Sequence, residues 1–353
     1  MQCLDLFAGA GGASVGLTRA GFRVTHVERD PDACATLRAA FPDDEVVEAD
    51  IREVDWSRWS GKVDLLWSSF PCQAWSIAGS RLGARDEERN GWPWTVAAID
   101  AVRPGWVLCE NVPGLLSHVD GDDRCAVKDP FDCPRHYFDE VILRQLRERF
   151  AWVDHRVVDA ADFGVPQHRN LVFIAAGPGP MDWPKPTHRD PLRPMGVGNP
   201  WVTVREALRL RPCDRVIGGG HNPNRAGDVR RYRDVSDEPS LTVTAVRGGN
   251  AGPWLAQASE TPGERGVAWG VRALRMVNEE GACDALDLFG GREDPDFSGV
   301  DVRTFTVEER AVLQAFPLEH PFAGSTTSQH RQVGNAVPPP VAESLGLAVT
   351  AAR

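Results

Sequence analysis

The first 110 residues alternate short apolar runs with stretches of helical period. Residues 3–7 form an apolar run that stops abruptly at Ala8-Gly9-Ala10-Gly11-Gly12, which predicts a strand and a turn. A helix is predicted next, with Val15, Leu17 and Ala20 apolar and Gly21 placed to end it. Residues 22–27 predict a second strand. Residues 31–41 predict a second helix, with Pro31 near its start, where no amide N–H is needed. Residues 45–49 and 63–68 predict further strands, 95–102 a helix, and 105–109 a strand ending at Glu110-Asn111. Strands separated by helical crossovers predict a doubly wound, mostly parallel α/β sheet. Ligands of such sheets sit at the carboxyl ends of the strands. The 9–12 loop, Glu28, Asp50, Pro71-Cys72 and Glu110 all fall there.

Beyond residue 174 the pattern changes. Prolines at 178, 180, 184, 186, 191, 194 and 200 mark a linker. Residues 201–300 mix glycine, arginine and short strand-like pieces such as 240–245, which predicts a smaller, irregular, β-rich domain. Helical periodicity returns at 306–314, and three prolines at 338–340 open a last helix over 341–352. The expected division is 1–176, 177–305 and 306–353.

With 42% hydrophobic and 25% charged residues in 353, the chain has the composition of an ordinary globular protein. No apolar run approaches the roughly 18 residues of a membrane span. The start Met1-Gln2-Cys3-Leu4-Asp5 lacks the basic region of a signal peptide. Eight scattered cysteines without a CxxC pair predict reduced thiols, and hence a cytoplasmic protein. A net charge of −11 argues against non-specific coating of nucleic acid. The charge is uneven: residues 1–60 hold six arginines against eleven acids, whereas 201–250 hold nine arginines against six acids. Such a chain suits an anion met on one face only.

Glycines between strand and helix let a ligand approach the backbone, and Glu28, ending the next strand, can accept from two ribose hydroxyls. The loop has no Lys-Ser/Thr pair for phosphates. A nucleoside cofactor without phosphates fits better than a dinucleotide, and S-adenosylmethionine is the obvious candidate. Asp50 would accept from the adenine amine and Ile51 would floor the ring. A tight turn beside a surface acid is an equally weighted reading of the loop alone. In Ser69-Phe70-Pro71-Cys72-Gln73-Ala74-Trp75-Ser76, a cysteine follows a proline at a strand's end, as a nucleophile would. Taken singly, an inert buried cysteine is the commoner case. Glu110, ending a neighbouring strand, would lie beside that sulfur.

Five blocks then occur in order: 5–12 (DLFAGAGG), 70–73 (FPCQ), 110–112 (ENV), 166–169 (PQHR) and 332–338 (QVGNAVP). Together they closely resemble the DNA cytosine-5 methyltransferases, from residue 2 to about 342. The resemblance implies a Rossmann-like fold dependent on S-adenosylmethionine, with a target-recognition domain over 177–305 and a C-terminal segment that returns to the first strand. It implies Cys72, Glu110 and Arg169 as catalytic residues. Phe7, Gly9, Gly11, Gly12, Glu28, Asp50, Ile51 and Asn335 would contact the cofactor. The substrate implied is double-stranded DNA, with the target cytosine flipped from the stack. Gln73, Ser76 and Arg81, in or beside the segment 74–90 that resembles the family's catalytic loop, would meet DNA, as would Thr242, Arg247 and Asn250. A companion restriction endonuclease and a monomeric enzyme are further expectations.

Two departures stand out. Ser69 replaces the family's usual glycine, and Leu171 replaces the second arginine of the glutamine–arginine block. Leu171 keeps open a second reading, the same chemistry on RNA cytosine or a modified pyrimidine. A catalytically silent DNA-binding protein is the third. Residues 117–136 look like an insertion. His118, Cys125, Cys133 and His136 there have zinc-ligand chemistry but irregular spacing, so a plain surface loop without metal is expected.

Overall fold

The computed structural model describes residues 1–71, 90–118, 125, 129–192, 198–211, 214–218, 233–240, 242–243, 254–257 and 301–353. Seven strands form the main sheet: β1 (Gln2–Leu6), β2 (Arg23–Glu28), β3 (Val46–Glu48), β4 (Leu65–Ser68), β5 (Trp106–Asn111), β6 (Trp152–Asp159) and β7 (Asn170–Gly177). Their order is β3-β2-β1-β4-β5-β7-β6. All neighbours are parallel except those of β7, which runs antiparallel to both β5 and β6. Strand order reverses between β1 and β4, which leaves a crevice at their carboxyl ends.

The central strands are apolar on both faces because helices cover both. Leu4, Leu6, Leu66, Val107 and Cys109 face one core, shared with α3 (Trp92–Val102). Cys3, Leu65, Trp67, Trp106 and Leu108 face the other, shared with α1 (Gly12–Arg19) and α9 (Pro339–Ala351). Between β2 and β3 lies α2 (Pro31–Ala40). Asp30 caps it by accepting from the amides of Asp32 and Ala33, and Pro31 opens its first turn.

The reading of residues 1–110 agrees with these elements to within a few residues; α3 begins three residues earlier than expected and β4 two later. The pattern gave no warning of the helical run α4 (Pro134–Tyr137), a π-turn (Phe138–Leu143) and α5 (Arg144–Arg147), nor of β6 and β7. The proline-rich stretch holds a short parallel pair, β8 (His188–Arg189) and β9 (Asn199–Pro200). After α6 (Val204–Leu208), a four-stranded antiparallel sheet follows: β10 (Arg215–Gly218), β11 (Arg233–Asp234), β12 (Trp254–Gln257) and β13 (Asp301–Thr304), in the order β11-β10-β12-β13. The strand expected at 240–245 is not formed in its described part, where Ser240 makes only an isolated bridge to Gln167.

Two more helices, α7 (Val307–Leu313) and α8 (Thr326–Asn335), precede α9. A Cβ at Gly16 of α1 would strike the Pro339 carbonyl and lie 2.9 Å from Ala342 Cβ, so α1 and α9 touch backbone to backbone. Gly16→Val is expected to destabilise the protein by about 2–3 kcal/mol. A urea midpoint unchanged from the parent would refute that close fit.

Candidate active site

A cavity of about 480 Å³ opens at the switch point, within the usual size range for small-ligand sites. Phe7, Gly9, Gly12, Glu28, Asp50, Ile51 and Asn335 line it, and so do Glu110 and Arg169. Pro71, the residue before Cys72, lies on its wall. Cys72, Gln73, Ser76, Arg81, Arg247 and Asn250 fall outside the described residues.

The loop after β1 is shaped for close approach. Phe7 holds a left-handed φ of 59°, a conformation that costs energy for a side chain of this size. Gly9, at φ 55°, has nothing within 4 Å of where a Cβ would stand, so its face is open to a ligand. Its amide donates to Glu28 Oε2 at 2.8 Å, while Glu28 Oε1 accepts from the amides of Arg29 and Asp30, each at 2.8 Å. Three backbone donors therefore fix this carboxylate at the end of β2 with lone pairs to spare. Those features fit a ribose and a nucleoside loop.

Gly11 does not line the cavity. Its left-handed φ of 78° and the crowding of Phe41 and Leu37 account for the glycine. Gly12 lines the cavity and also lets the chain pass against Ala336 and Val337. Asp50 is engaged by Arg52, whose Nε and terminal amine donate to it at 2.8 and 2.7 Å. Those bonds pull its pKa down to about 2, so it stands in the wall as a neutralised pair rather than a lone acceptor.

At the other end of the cavity, Glu110 is buried at the end of β5. Burial lifts its pKa to about 7, against the opposing pull of the Arg169 charge and a hydrogen bond from Ser69. The Ser69 hydroxyl also accepts from Trp67 Nε1 at 3.0 Å. The serine that departs from the family pattern thus gives Glu110 a fixed donor, a role the sequence did not suggest. Asn111 donates through Nδ2 to the Phe70 carbonyl at 3.1 Å, which ties the end of β5 to the backbone leading into Cys72.

Arg169 is equally buried. Its Nη1 donates to the carbonyls of Gly334 at 2.8 Å and Val243 at 3.2 Å, and its Nε has no partner. Leu171 packs into the second core and lies off the cavity, so nothing polar enters the site from that position. Gln167, fully buried, donates to Gln314 Oε1 at 2.8 Å and accepts from the Val243 amide at 2.6 Å. Gln314 in turn donates to the Val333 carbonyl. The 166–169 block is therefore a junction that joins β7, residues 242–243 and α8. Thr242 is exposed, and its hydroxyl donates to the His168 carbonyl at 2.8 Å. Gln332 is locked between Thr36 and the Ala323 carbonyl, which fixes α8 against α2.

Fold and cavity together define the class: a Rossmann-like, doubly wound α/β protein with a small-ligand cavity at its switch point. Solved structures with this fold include the S. pombe Dnmt2 methyltransferase (TM-score 0.59, 15% identity, 100% of this chain and 99% of that one). Another is the Entamoeba histolytica methyltransferase EhMeth (TM-score 0.58, 12% identity, 100% of this chain and 98% of that one). Among curated proteins, the Type II methyltransferase M.NgoMIV of Neisseria gonorrhoeae is 32% identical over 97% of this chain and 95% of its own. M1.HphI of Haemophilus parahaemolyticus is 30% identical over 98% and 86%. The family model for C-5 cytosine-specific DNA methylase matches residues 1–189 and 273–351. The chain belongs to the C-5 cytosine-specific DNA methylase family, whose members in general depend on S-adenosylmethionine. No helix among the described residues is long and apolar enough to cross a membrane.

Proposed function

We propose that this enzyme methylates C5 of cytosine at a specific sequence in double-stranded DNA, by flipping the base and forming a covalent Cys72–C6 adduct. The observation that carries the proposal is the shared cavity. The loop and acid suited to a nucleoside, the Glu110 carboxyl and the backbone immediately before Cys72 line one space.

Phe7, Gly9, Gly12, Glu28, Ile51 and Asn335 would hold S-adenosylmethionine, which supplies a methyl group when bound. Cytosine C5 is a weak nucleophile, so C6 must first be attacked. The Cys72 thiolate forms the S–C6 bond, the ring electrons move towards N3, and Glu110 places its proton at N3. With a pKa near neutrality it carries that proton in a useful fraction of molecules. C5, now electron-rich, accepts the methyl group as the N3 proton returns to Glu110. A base or water then removes the C5 proton and the S–C6 bond breaks, which restores the ring and the thiolate. Arg169 offsets charge beside Glu110. Residues 177–305, with Thr242, Arg247 and Asn250, would read the DNA, with Gln73, Ser76 and Arg81 beside the flipped base. The enzyme would act as a monomer in the cytoplasm; the Type II names of its relatives support a cognate endonuclease beside it.

Bisulfite-type sequencing of host DNA after expression tests this. The expected result is 5-methylcytosine confined to one sequence context. Unmodified DNA, or methyl transfer to RNA alone, would overturn it.

A further inference from the structure

Away from the cavity, His118, Cys125, Cys133 and His136 each bring one ligating atom into a cluster whose members all lie within 4.8 Å of one another. The Sγ atoms of Cys125 and Cys133 are 3.7 Å apart, far beyond the roughly 2.05 Å of a disulfide. Cys133 Sγ is 3.4 Å from His118 Nδ1. Around a tetrahedral zinc ion, with bonds of about 2.3 Å to sulfur and 2.0–2.1 Å to nitrogen, two sulfurs stand about 3.8 Å apart and a sulfur and a nitrogen about 3.5 Å. Both pairs already have the separation of ligands with an ion between them.

His136 adds an independent observation. Its Nδ1 is buried without a hydrogen-bond partner, a costly state that a metal bond would relieve. The rings of His118 and His136 meet edge to face, with centroids 5.1 Å apart, and so do not stack. Cys133 itself is completely buried. The insertion expected as a plain surface loop therefore converges on a small, partly dry centre.

We propose that these four side chains bind a structural zinc ion. Two thiolates with two imidazoles select zinc over magnesium or calcium, and four protein ligands leave no open position for catalysis. Binding would deprotonate both thiols, with the protons passing to solvent. The site also has a consequence for the fold. His118 follows the Pro113–Leu116 turn that leaves β5, the strand ending in Glu110-Asn111, while Cys133 and His136 lie at the start of α4. The next residue, Tyr137, is buried and its hydroxyl accepts from Asn90 Nδ2 at 2.9 Å. Asn90 lines the cavity. The ion would clamp β5 to α4 and brace that wall from behind, without touching substrate.

The test uses the full chain, purified without chelator under reducing conditions. Elemental analysis is expected to find about one zinc per chain, falling below about a tenth in a C125S/C133S variant. Cobalt added to chelator-stripped parent protein should give thiolate-to-metal charge-transfer absorption and the intense visible bands of a tetrahedral site, both absent from the variant. Stripping alone should lower the Tm, and zinc should restore it. The cobalt spectrum of the parent keeps the test decisive if the variant fails to fold. Three outcomes would overturn the proposal: parent protein that binds neither metal, metal content unchanged in a folded variant, or a Cys125–Cys133 disulfide found by mass spectrometry.

Discussion

Cys72→Ala is expected to reduce methyl transfer by at least about a thousandfold, since removing a covalent nucleophile removes the path itself. The same substitution should abolish the adduct with DNA containing 5-fluorocytosine, in which fluorine replaces the proton that must leave C5. The parent enzyme, given cofactor, should be trapped as a denaturation-resistant complex. Binding of S-adenosylmethionine should hold within about threefold in the variant, because the loop of β1 and Glu28 do not depend on the sulfur. Parent and variant that behave alike on fluorinated DNA would remove the covalent mechanism altogether.

Glu110→Gln has two expected effects of opposite sign. Turnover should fall by about 10²–10⁴, the usual contribution of a positioned proton donor. Stability should rise, but only at higher pH. The Glu110 carboxyl titrates near 7 in the native protein and at 4.5 by its ordinary value, so the native state holds the extra proton between those limits. Stability from this group is therefore full below about 4.5 and declines as pH rises to about 7. The total loss is about 3 kcal/mol, at about 1.4 kcal/mol per pKa unit. Glutamine carries no such charge. Urea unfolding of both proteins at pH 5 and pH 8 checks this: the advantage of glutamine should be larger at pH 8. An equal difference at the two pH values would show that Glu110 does not carry the burial cost. In the parent, kcat/KM should also fall above about pH 7 as the free enzyme loses the N3 donor.

Much of the sheet was legible because strands buried on both faces read as unbroken apolar runs. Those at Leu65-Leu66-Trp67 and Trp106-Val107-Leu108-Cys109 are of this kind, and between Cys3 and Phe7 only the buried Asp5 interrupts the run. The helix α8 was not, and its burial explains why. It buries Ser328, His330, Gln332, Val333 and Gly334, so polar side chains occupy the places where an apolar stripe would have signalled a helix. Edge strand β6 hides for a related reason: most of its residues are only half-buried, which blurs the alternation.

The site was legible as motifs, each carrying a residue type that its chemistry needs. What the motifs could not give was the pairing between them. Gln167 meets Gln314, and Arg169 meets the carbonyl of Gly334, contacts that span about half the chain. Nor could irregular spacing show that His118 and His136 turn towards the same point as Cys125 and Cys133.

Asn335, Ala336 and Val337 stand in the wall of a cavity whose opposite features come from the first fifty residues. During translation, that wall is missing until synthesis has passed residue 337. A nascent chain that has not reached 335 lacks this wall, and a frameshift or stop codon upstream of 335 removes it. The cavity can therefore close only after two segments far apart in the chain have both been made.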